Sequence, residues 1–146
     1  MQKSKNAFTM IELVFVIVVL GILAAVAIPK FTATRDDAKI ATARATVASV
    51  RSGIESERQT RLIAGDPLYI SGIALNTGGK FKGVLKYANT DGEWSSTGSD
   101  TNATSTYDYT LSGTTTAFTY TRSDGTFTCD NVGATAAEVL CRQLVN

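Results

Sequence analysis

The hydrophobic and polar positions divide the chain into three stretches with different patterns. Residues 8–29 are almost continuously apolar, and Glu12 is the only charged side chain among them. As an α-helix, the part from Phe8 to Ile28 extends about 32 Å, which matches a hydrocarbon core of about 30 Å. The pattern therefore predicts a membrane-spanning helix, in which a lone carboxylate requires an explanation.

The second stretch, residues 30–65, has charged residues among alanines and small aliphatic side chains. Its apolar positions recur at helical spacing and form one narrow stripe. The members of this stripe are Ile40, Ala43, Val47, Val50 and Ile54. The spacing predicts an amphipathic continuation of the same helix, which ends near a glycine cap at Gly65 and covers a sheet with its apolar stripe.

The third stretch, residues 66–146, is rich in glycine, serine, threonine and aromatic residues, which favour turns and strands. Alternation of aromatic and small polar residues predicts three strands of an antiparallel meander, joined by turns at Ser112-Gly113 and Asp124-Gly125. The predicted strands are Thr106–Leu111, Thr116–Arg122 and Thr126–Cys129, and Phe81–Tyr87 is predicted as a further strand. We expect an α+β fold in which a small antiparallel head packs on the long helix.

Composition narrows the possible functions. The chain has 14 basic and 13 acidic side chains, a formal charge of +1, and no histidine. A balanced charge argues against a nucleic-acid-binding surface, and the absence of histidine excludes the commonest general base and metal ligand. We therefore predict a protein that is not an enzyme and has no catalytic residues and no protein-bound metal site.

Cys129 and Cys141, the only cysteines, lie near the C-terminus. Their spacing fits neither a CxxC redox motif nor a zinc site. They form a disulfide if this end of the chain lies outside the cytoplasm, and the loop that it closes would contribute about 3 kcal/mol. The alternative is a pair of buried free thiols.

Three interpretations compete for the N-terminal segment. The first is a secretory signal peptide cleaved after Ala25-Val26-Ala27, although its apolar run is longer than usual and Glu12 interrupts it. The second is a simple membrane anchor, in which Glu12 reaches toward the near interface. This explains the span but gives the carboxylate no role.

The third interpretation is a resemblance. The stretch KNAFTMIELVFVIVVLGILAAVAIPKF closely resembles the N-terminus of type IV pilins and type II secretion pseudopilins. The resemblance implies that the leader, residues 1–7, is removed by a prepilin peptidase between Ala7 and Phe8, and that the new N-terminus at Phe8 is methylated. The family usually has glycine before the cut, where this chain has Ala7.

The resemblance also implies roles for three residues within the helix. Glu12 becomes the fifth residue of the mature chain, where the family's acidic side chain pairs with the N-terminal amine of a neighbouring subunit. Gly21 and Pro29 fall where the family has helix-weakening residues, and the segment between them becomes extended in related filaments. A static kink at Pro29 is the alternative.

For the head, the resemblance implies a pilin-like fold with a C-terminal region bounded by the disulfide. Some major pseudopilins bind Ca²⁺ in the head, and several oxygen-bearing side chains lie in predicted loops here. They are Asp91, Asp100, Asn102, Asp124 and Asp130. No EF-hand spacing is present, so they are read as turn residues, with Ca²⁺ binding by a subset as the alternative.

The function that these features predict is that of a prepilin. Its partners would be other copies of the chain or other pilins, the prepilin peptidase, the inner-membrane assembly machinery and membrane lipid. It would span the bacterial inner membrane once, with a cytoplasmic N-terminus, and then enter a periplasmic or cell-surface filament. The alternative is a membrane-tethered binding, adhesion or DNA-uptake module, in which Trp94, tyrosines and threonines contact a ligand.

Overall fold

A computed structural model of the chain describes residues 8–96, 103–130 and 132–145. It divides into two compact units, Met1–Asp37 and Ala38–Asn146. In these residues, three helices and four strands follow one another. They are α1 (Met10–Ile63), α2 (Gly72–Leu75), β1 (Trp94–Ser96), β2 (Thr104–Leu111), β3 (Thr114–Thr121), β4 (Thr126–Cys129) and α3 (Ala136–Val145).

Helix α1 contributes residues to both units, and in the second unit its apolar stripe is buried as predicted. Ala43, Val47, Val50 and Ile54 are each at most 2% exposed, and Ile40 packs against the same core. The remaining directions around the helix carry exposed polar and small side chains. The 3,4 spacing read from the sequence is thus the spacing of the core contacts.

The glycine cap expected at the end of α1 takes the form of a Schellman motif. Gly65 has a φ of +85°, its N–H bonds the Leu62 carbonyl at 3.1 Å, and the Asp66 N–H bonds the Arg61 carbonyl at 2.9 Å. An ion pair between the Arg61 and Asp66 side chains, at 3.1 Å, closes the same turn. The chain can therefore leave the helix abruptly after Ile63.

The four strands form one antiparallel sheet in the order β1-β2-β3-β4. Leu111 pairs with Thr114, and Ser112 and Gly113 between them both have positive φ, as a type I′ hairpin turn requires. The second predicted turn also lies between strands, at Asp124-Gly125. The predicted meander and the α+β fold are confirmed, with β1 as an additional short edge strand.

The inner face of the sheet is aromatic and lies in one core with the stripe of α1. Trp94 and Phe118 have ring centroids 5.3 Å apart, and Phe118 stacks on Phe127 at 5.1 Å. The Tyr120 hydroxyl donates to the Ile70 carbonyl at 2.7 Å, and burial raises the pKa of this phenol to about 12. The Tyr107 hydroxyl likewise donates to the Asn76 side-chain oxygen at 2.8 Å, so these buried tyrosines have hydrogen-bond partners for their polar tips.

The outer face of the sheet is lined with threonine. Two rows run across β2, β3 and β4, and each row contains one threonine from each strand. The rows are Thr104, Thr121, Thr126 and Thr106, Thr119, Thr128. A solvent-facing sheet therefore explains the threonine-rich composition of the head, since threonine is a good strand former.

The strand predicted at Phe81–Tyr87 is wrong. Phe81 has a φ of +59°, and its carbonyl accepts from the Leu85 N–H at 2.8 Å, so the segment is a series of turns. Gly83 lies so close to the Ala74 carbonyl that a Cβ there would be 2.3 Å from the oxygen. The apolar side chains of this segment enter the core from a loop rather than from a sheet.

The C-terminal helix α3 is fixed to the sheet by the predicted disulfide. Cys129 at the end of β4 is bonded to Cys141, with the two Cα atoms 5.9 Å apart. Helix α3 begins with a capping box, because the Glu138 carboxylate accepts from the Thr135 N–H at 2.8 Å and the Thr135 hydroxyl accepts from the Glu138 N–H at 3.3 Å. The Thr135 hydroxyl and the Thr135 N–H both donate to the Glu138 carboxylate, and these two hydrogen bonds lower the pKa of Glu138.

Candidate assembly site

The apolar part of α1 in the first unit has no buried residue. Met10–Ile28 is long and apolar enough to cross a membrane, with a mean hydropathy of 3.0 and none of it buried. Its large apolar side chains are exposed by between 36% (Val19) and 82% (Met10). Such a surface is unfavourable in water and needs lipid or other protein chains to cover it.

Glu12 lies in the first turn of α1, on this exposed segment. The Glu12 N–H donates to the Thr9 hydroxyl at 3.3 Å, and the Leu13 N–H donates to the Thr9 carbonyl at 3.1 Å. Thr9 is therefore the N-cap of the helix. A carboxylate so close to the helix N-terminus is favoured by the helix dipole.

Thr9 is a residue that the sequence analysis missed. The signal was present, since Thr9-Met10-Ile11-Glu12 has the Thr-x-x-Glu spacing of a capping box directly before an apolar run. The cap fixes where the helix begins. It thereby places the Glu12 carboxylate within one helical turn of the N-terminal end.

Processing would occur at the junction of Ala7 and Phe8. Phe8 is the first residue that the structure describes, is 76% exposed and precedes the helix, whereas Ala7 and the rest of the leader lie outside the described residues. The predicted cleavage and methylation remain predictions. An exposed, non-helical Phe8 is a favourable position for a peptidase to reach.

Gly21 and Pro29 both lie within α1, which is continuous from Met10 to Ile63. A Cβ added at Gly21 would have no neighbour within 4 Å, so packing inside the chain does not require glycine there. Pro29 lacks the N–H that would bond the carbonyl one turn earlier. The predicted order change between these residues therefore stays a prediction about the assembled state.

The loop oxygens considered as calcium ligands have local roles where the structure describes them. The Asp124 carboxylate accepts from the Thr126 hydroxyl at 2.7 Å, which lowers the pKa of Asp124, and Asp130 accepts from the Val132 N–H at 3.1 Å. Asp91 bonds Asn89, while Asp100 and Asn102 lie outside the described residues. Among the described residues, no three acidic, histidine or cysteine side chains form a group that could hold a metal ion.

The ligand-contact role considered for Trp94 in the tethered-module alternative is wrong. Trp94 is 2% exposed, and its ring packs against Tyr109 at 5.0 Å. Tyr107, Tyr109 and Tyr120 are buried in the same core. Of the aromatic side chains in residues 38–96, 103–130 and 132–145, Tyr87 is the one that is largely exposed, at 73%.

Two comparisons with known proteins agree with the resemblance noted in the sequence. The family described as the prokaryotic N-terminal methylation motif matches residues 2–28. The type IV narrow pilus major component PilA5 of Thermus thermophilus is 51% identical over 47 residues. That alignment covers 32% of this chain and 40% of the relative.

The comparisons reach only part of the chain. This protein spans less than half the length of the curated relative that it matches, and no solved structure matches it. The segment that the family model matches contains Phe8, Glu12 and Gly21. The N-terminal segment of this chain is therefore similar to that of a type IV pilin and carries a prokaryotic N-terminal methylation motif.

Proposed function

We propose that this protein is a prepilin, a structural subunit that is anchored in the membrane, cut before Phe8 and polymerised through its N-terminal helix. The observation that carries the proposal is the uncovered apolar surface of Met10–Ile28 with the single carboxylate of Glu12 near its start. Lipid can cover this surface before assembly, and the same segment of other copies can cover it in a filament.

Glu12 needs an opposite charge beside it, and lipid tails do not provide one. A charged side chain at the centre of a bilayer costs about 2.5 to 3.5 kcal/mol on insertion scales, and it is stabilised by an opposite charge. Cleavage before Phe8 creates a cationic amine four residues before Glu12, just ahead of the start of α1. Docking of one copy beside another then brings the amine of one chain to the carboxylate of the next.

The charges that flank the apolar segment indicate its orientation in the membrane. Lys3 and Lys5 precede the apolar segment, which favours a cytoplasmic N-terminus in the inner membrane. The second unit then lies in the periplasm, an oxidising compartment in which the Cys129–Cys141 bond persists. Before it enters the filament, the chain would meet a prepilin peptidase and the inner-membrane assembly machinery.

We assign the filament to the pilus type rather than to a secretion pseudopilus. The support is the relative, which is named as the major component of a type IV narrow pilus. Because the alignment with this relative covers 32% of the chain, the assignment has to be tested on the filaments of this protein. A surface filament and a short periplasmic pseudopilus differ in whether shear releases them from cells.

Shearing intact cells and pelleting the released filaments tests the proposal. We expect the protein in the pellet, in its processed form, together with filaments visible by electron microscopy. Filaments seen only after the outer membrane is opened would point to a pseudopilus. A protein that stays in the membrane fraction of cells with a working assembly system would contradict the proposal and favour the tethered module.

A further inference from the structure

Among the described residues, the sheet of the second unit ends in two outer strands, β1 and β4. An outer strand presents backbone N–H and C=O groups to which another chain can add a strand, and proteins often guard such edges with charged residues or proline in the strand. Neither β1, Trp-Ser-Ser, nor β4, Thr-Phe-Thr-Cys, contains a charged residue or a proline. Protection of these edges has to come from other parts of the chain.

The hydrogen-bond pattern shows which backbone groups lie on the open side of β1. The Thr110 N–H on β2 donates to the Glu93 carbonyl at 2.9 Å, so the backbone of Glu93 faces β2. Successive residues of a strand point their backbone groups to opposite sides in the plane of the sheet. The carbonyl of Trp94 therefore points away from β2, toward the open edge.

Lys80, in the loop before β1, covers this carbonyl of Trp94. Its ammonium donates to the Trp94 carbonyl and, at 2.9 Å, to the Asp91 carbonyl. The Trp94 N–H donates to the same Asp91 carbonyl at 3.3 Å. Both outward backbone groups of Trp94 are thus hydrogen-bonded within the chain, and an added strand would have to displace Lys80.

The same alternation fixes the outward groups of β4. Because the residue after it bonds β1, Tyr109 faces β3, where its partner is Thr116. Three residues further along β3, Thr119 faces the other way, toward its partner Thr128 on β4. Phe127, which precedes Thr128, therefore points its carbonyl away from β3.

Arg51 on α1 covers the outward carbonyl of Phe127. Its Nε donates to that carbonyl at 3.0 Å. A shallow depression of about 270 Å³ follows this edge between α1 and the chain from Asp124 to Thr128, and Arg51 and Glu55 line its α1 side. A strand added to β4 would enter this depression and break the hydrogen bond from Arg51.

The two cations act on matching positions of the sheet. Trp94 and Phe127 are both buried, with ring centroids 6.5 Å apart in the core, and both turn their carbonyls outward. In each case a cationic side chain from outside the sheet donates to that carbonyl. Hydrogen bonds from charged donors are stronger than those between neutral groups, so the need to break them opposes strand addition.

We propose that Lys80 and Arg51 cap the two edges of the sheet and prevent a second copy of the chain from adding a strand there. The capping itself does not depend on the proposed function. Its consequence for assembly does, because copies held side by side in a filament would otherwise meet at open sheet edges. With both edges capped, strand pairing does not compete with association through the N-terminal helix.

Methionine variants of the full-length chain, purified in detergent, test the two caps. Arg51→Met and Lys80→Met keep a long side chain but remove the donor, so each single variant uncovers one edge and should dimerise through two like edges. The double variant uncovers both edges and should form larger oligomers. The protein concentration at which oligomers appear should fall about tenfold or more for each cap removed. Light scattering measures oligomer size, and the infrared amide I band detects intermolecular β-structure.

Two matched controls lose the same kind of hydrogen bond away from the sheet edges. The Arg44 guanidinium donates to the Gln143 carbonyl in α3, and the Lys82 ammonium donates to the Lys86 carbonyl in a loop. Arg44→Met and Lys82→Met should therefore remain as dispersed as the unsubstituted chain. If Arg51→Met fails to fold, Lys80→Met decides the question for the β1 edge.

Tyr120→Phe separates uncapping from a loss of stability. It removes the hydrogen bond to the Ile70 carbonyl but keeps both caps, so it should stay dispersed. The proposal is overturned if the double variant, folded by near-ultraviolet circular dichroism, stays dispersed. Association of Arg44→Met or Tyr120→Phe as strong as that of the double variant would overturn it too. Because the measurement is made on unassembled chains, either result leaves the proposed function standing.

Discussion

At the scale of single residues, Glu12 is the side chain that distinguishes this span from a simple anchor. It lies in the first turn of α1, where Thr9 caps the helix and the helix dipole favours a negative charge. These effects lower the free-energy cost of placing the Glu12 carboxylate in a membrane but do not remove that cost. A cationic amine from a neighbouring chain would offset the rest, which is why Glu12 suits subunit docking.

Replacing Glu12 with alanine should separate insertion from assembly. Glu12→Ala removes a charge from the apolar segment, so membrane insertion should be unchanged or improved, while the yield of sheared filaments should fall severely. Asp37→Ala, an exposed acidic residue beyond the span, is the matched control and should assemble normally. Filaments at the unsubstituted level from Glu12→Ala would refute the pairing role.

Tyr120 should make the stability of the second unit sensitive to alkaline pH. Its pKa is raised from 10.0 to about 12, mainly by burial, so the folded state favours the neutral phenol. The stabilisation is fully present below pH 10 and is lost as the pH rises toward about 12. Urea unfolding monitored across this range should show a falling midpoint.

Tyr120→Phe is the control for this pH dependence. It removes both the titrating group and the hydrogen bond to the Ile70 carbonyl, so the variant should be less stable near neutral pH. Its unfolding midpoint should then fall less between pH 10 and pH 12. A decline as steep as that of the unsubstituted protein would show that another group is responsible.

At the scale of elements, the two parts of α1 have different surroundings. In the first unit the apolar surface of the helix is exposed, and Gly21 has open space around it. In the second unit the same helix buries its stripe against the sheet, with Val50 and Ile54 fully buried. The first part is therefore able to change its backbone without disturbing the core.

Gly21→Ala tests whether this freedom is used in assembly. Alanine favours helix over glycine by about 1 kcal/mol and meets no neighbour within 4 Å, so the variant should insert normally with a more stable helix. If the segment up to Pro29 must become extended, filament yield should fall. Gly92→Ala is the control, because a Cβ at Gly92 also has no neighbour within 4 Å. A full filament yield from Gly21→Ala would contradict the order change and support a static kink at Pro29.

The disulfide between β4 and α3 should supply a substantial part of the stability of the second unit. Removing it as Cys129→Ser with Cys141→Ser should lower the free energy of unfolding by about 3 kcal/mol. Reduction of the unsubstituted protein is the matched comparison, since it breaks the bond without placing a serine in the buried position of Cys141. Equal unfolding midpoints for oxidised and reduced protein would contradict this contribution.

The parts of the fold that the sequence predicted are those set by local periodicity. The stripe from Ala43 to Ile54 and the β2–β3 hairpin follow from the spacing of apolar residues and from turn chemistry. The strand predicted at Phe81–Tyr87 does not form, because Gly83 packs against the Ala74 carbonyl and the backbone turns. That contact is non-local, so no pattern within the segment reveals it.

In the candidate site, the residues of the N-terminal motif could be predicted from the sequence, whereas the surfaces of the second unit could not. Phe8, Glu12, Gly21 and Pro29 could be assigned because motif spacing carries them, and the cap at Thr9 could have been read from the same motif. The apolar groove that Leu111 and Val139 line could not, because it forms from a hairpin and a helix that are distant in sequence. Exposure of single apolar residues becomes informative only once the fold is known.

At the scale of the whole molecule, the two units differ in how their apolar surface is covered. The second unit buries an aromatic core of its own, closed by a disulfide, and its outer sheet face is covered with threonine. The first unit presents an apolar helix with no cover of its own. A chain built in this way suits a protein that is held in lipid first and in a polymer afterwards.

The most direct test of this proposal is the intact mass of the mature protein, isolated from cells with a working prepilin peptidase. We expect a chain that has lost Met1 to Ala7 and has gained one methyl group at Phe8, since the cationic terminus opposite Glu12 exists only after that cut. A chain that retains its first seven residues, or one that begins at Ile28, would contradict polymerisation through the N-terminal helix.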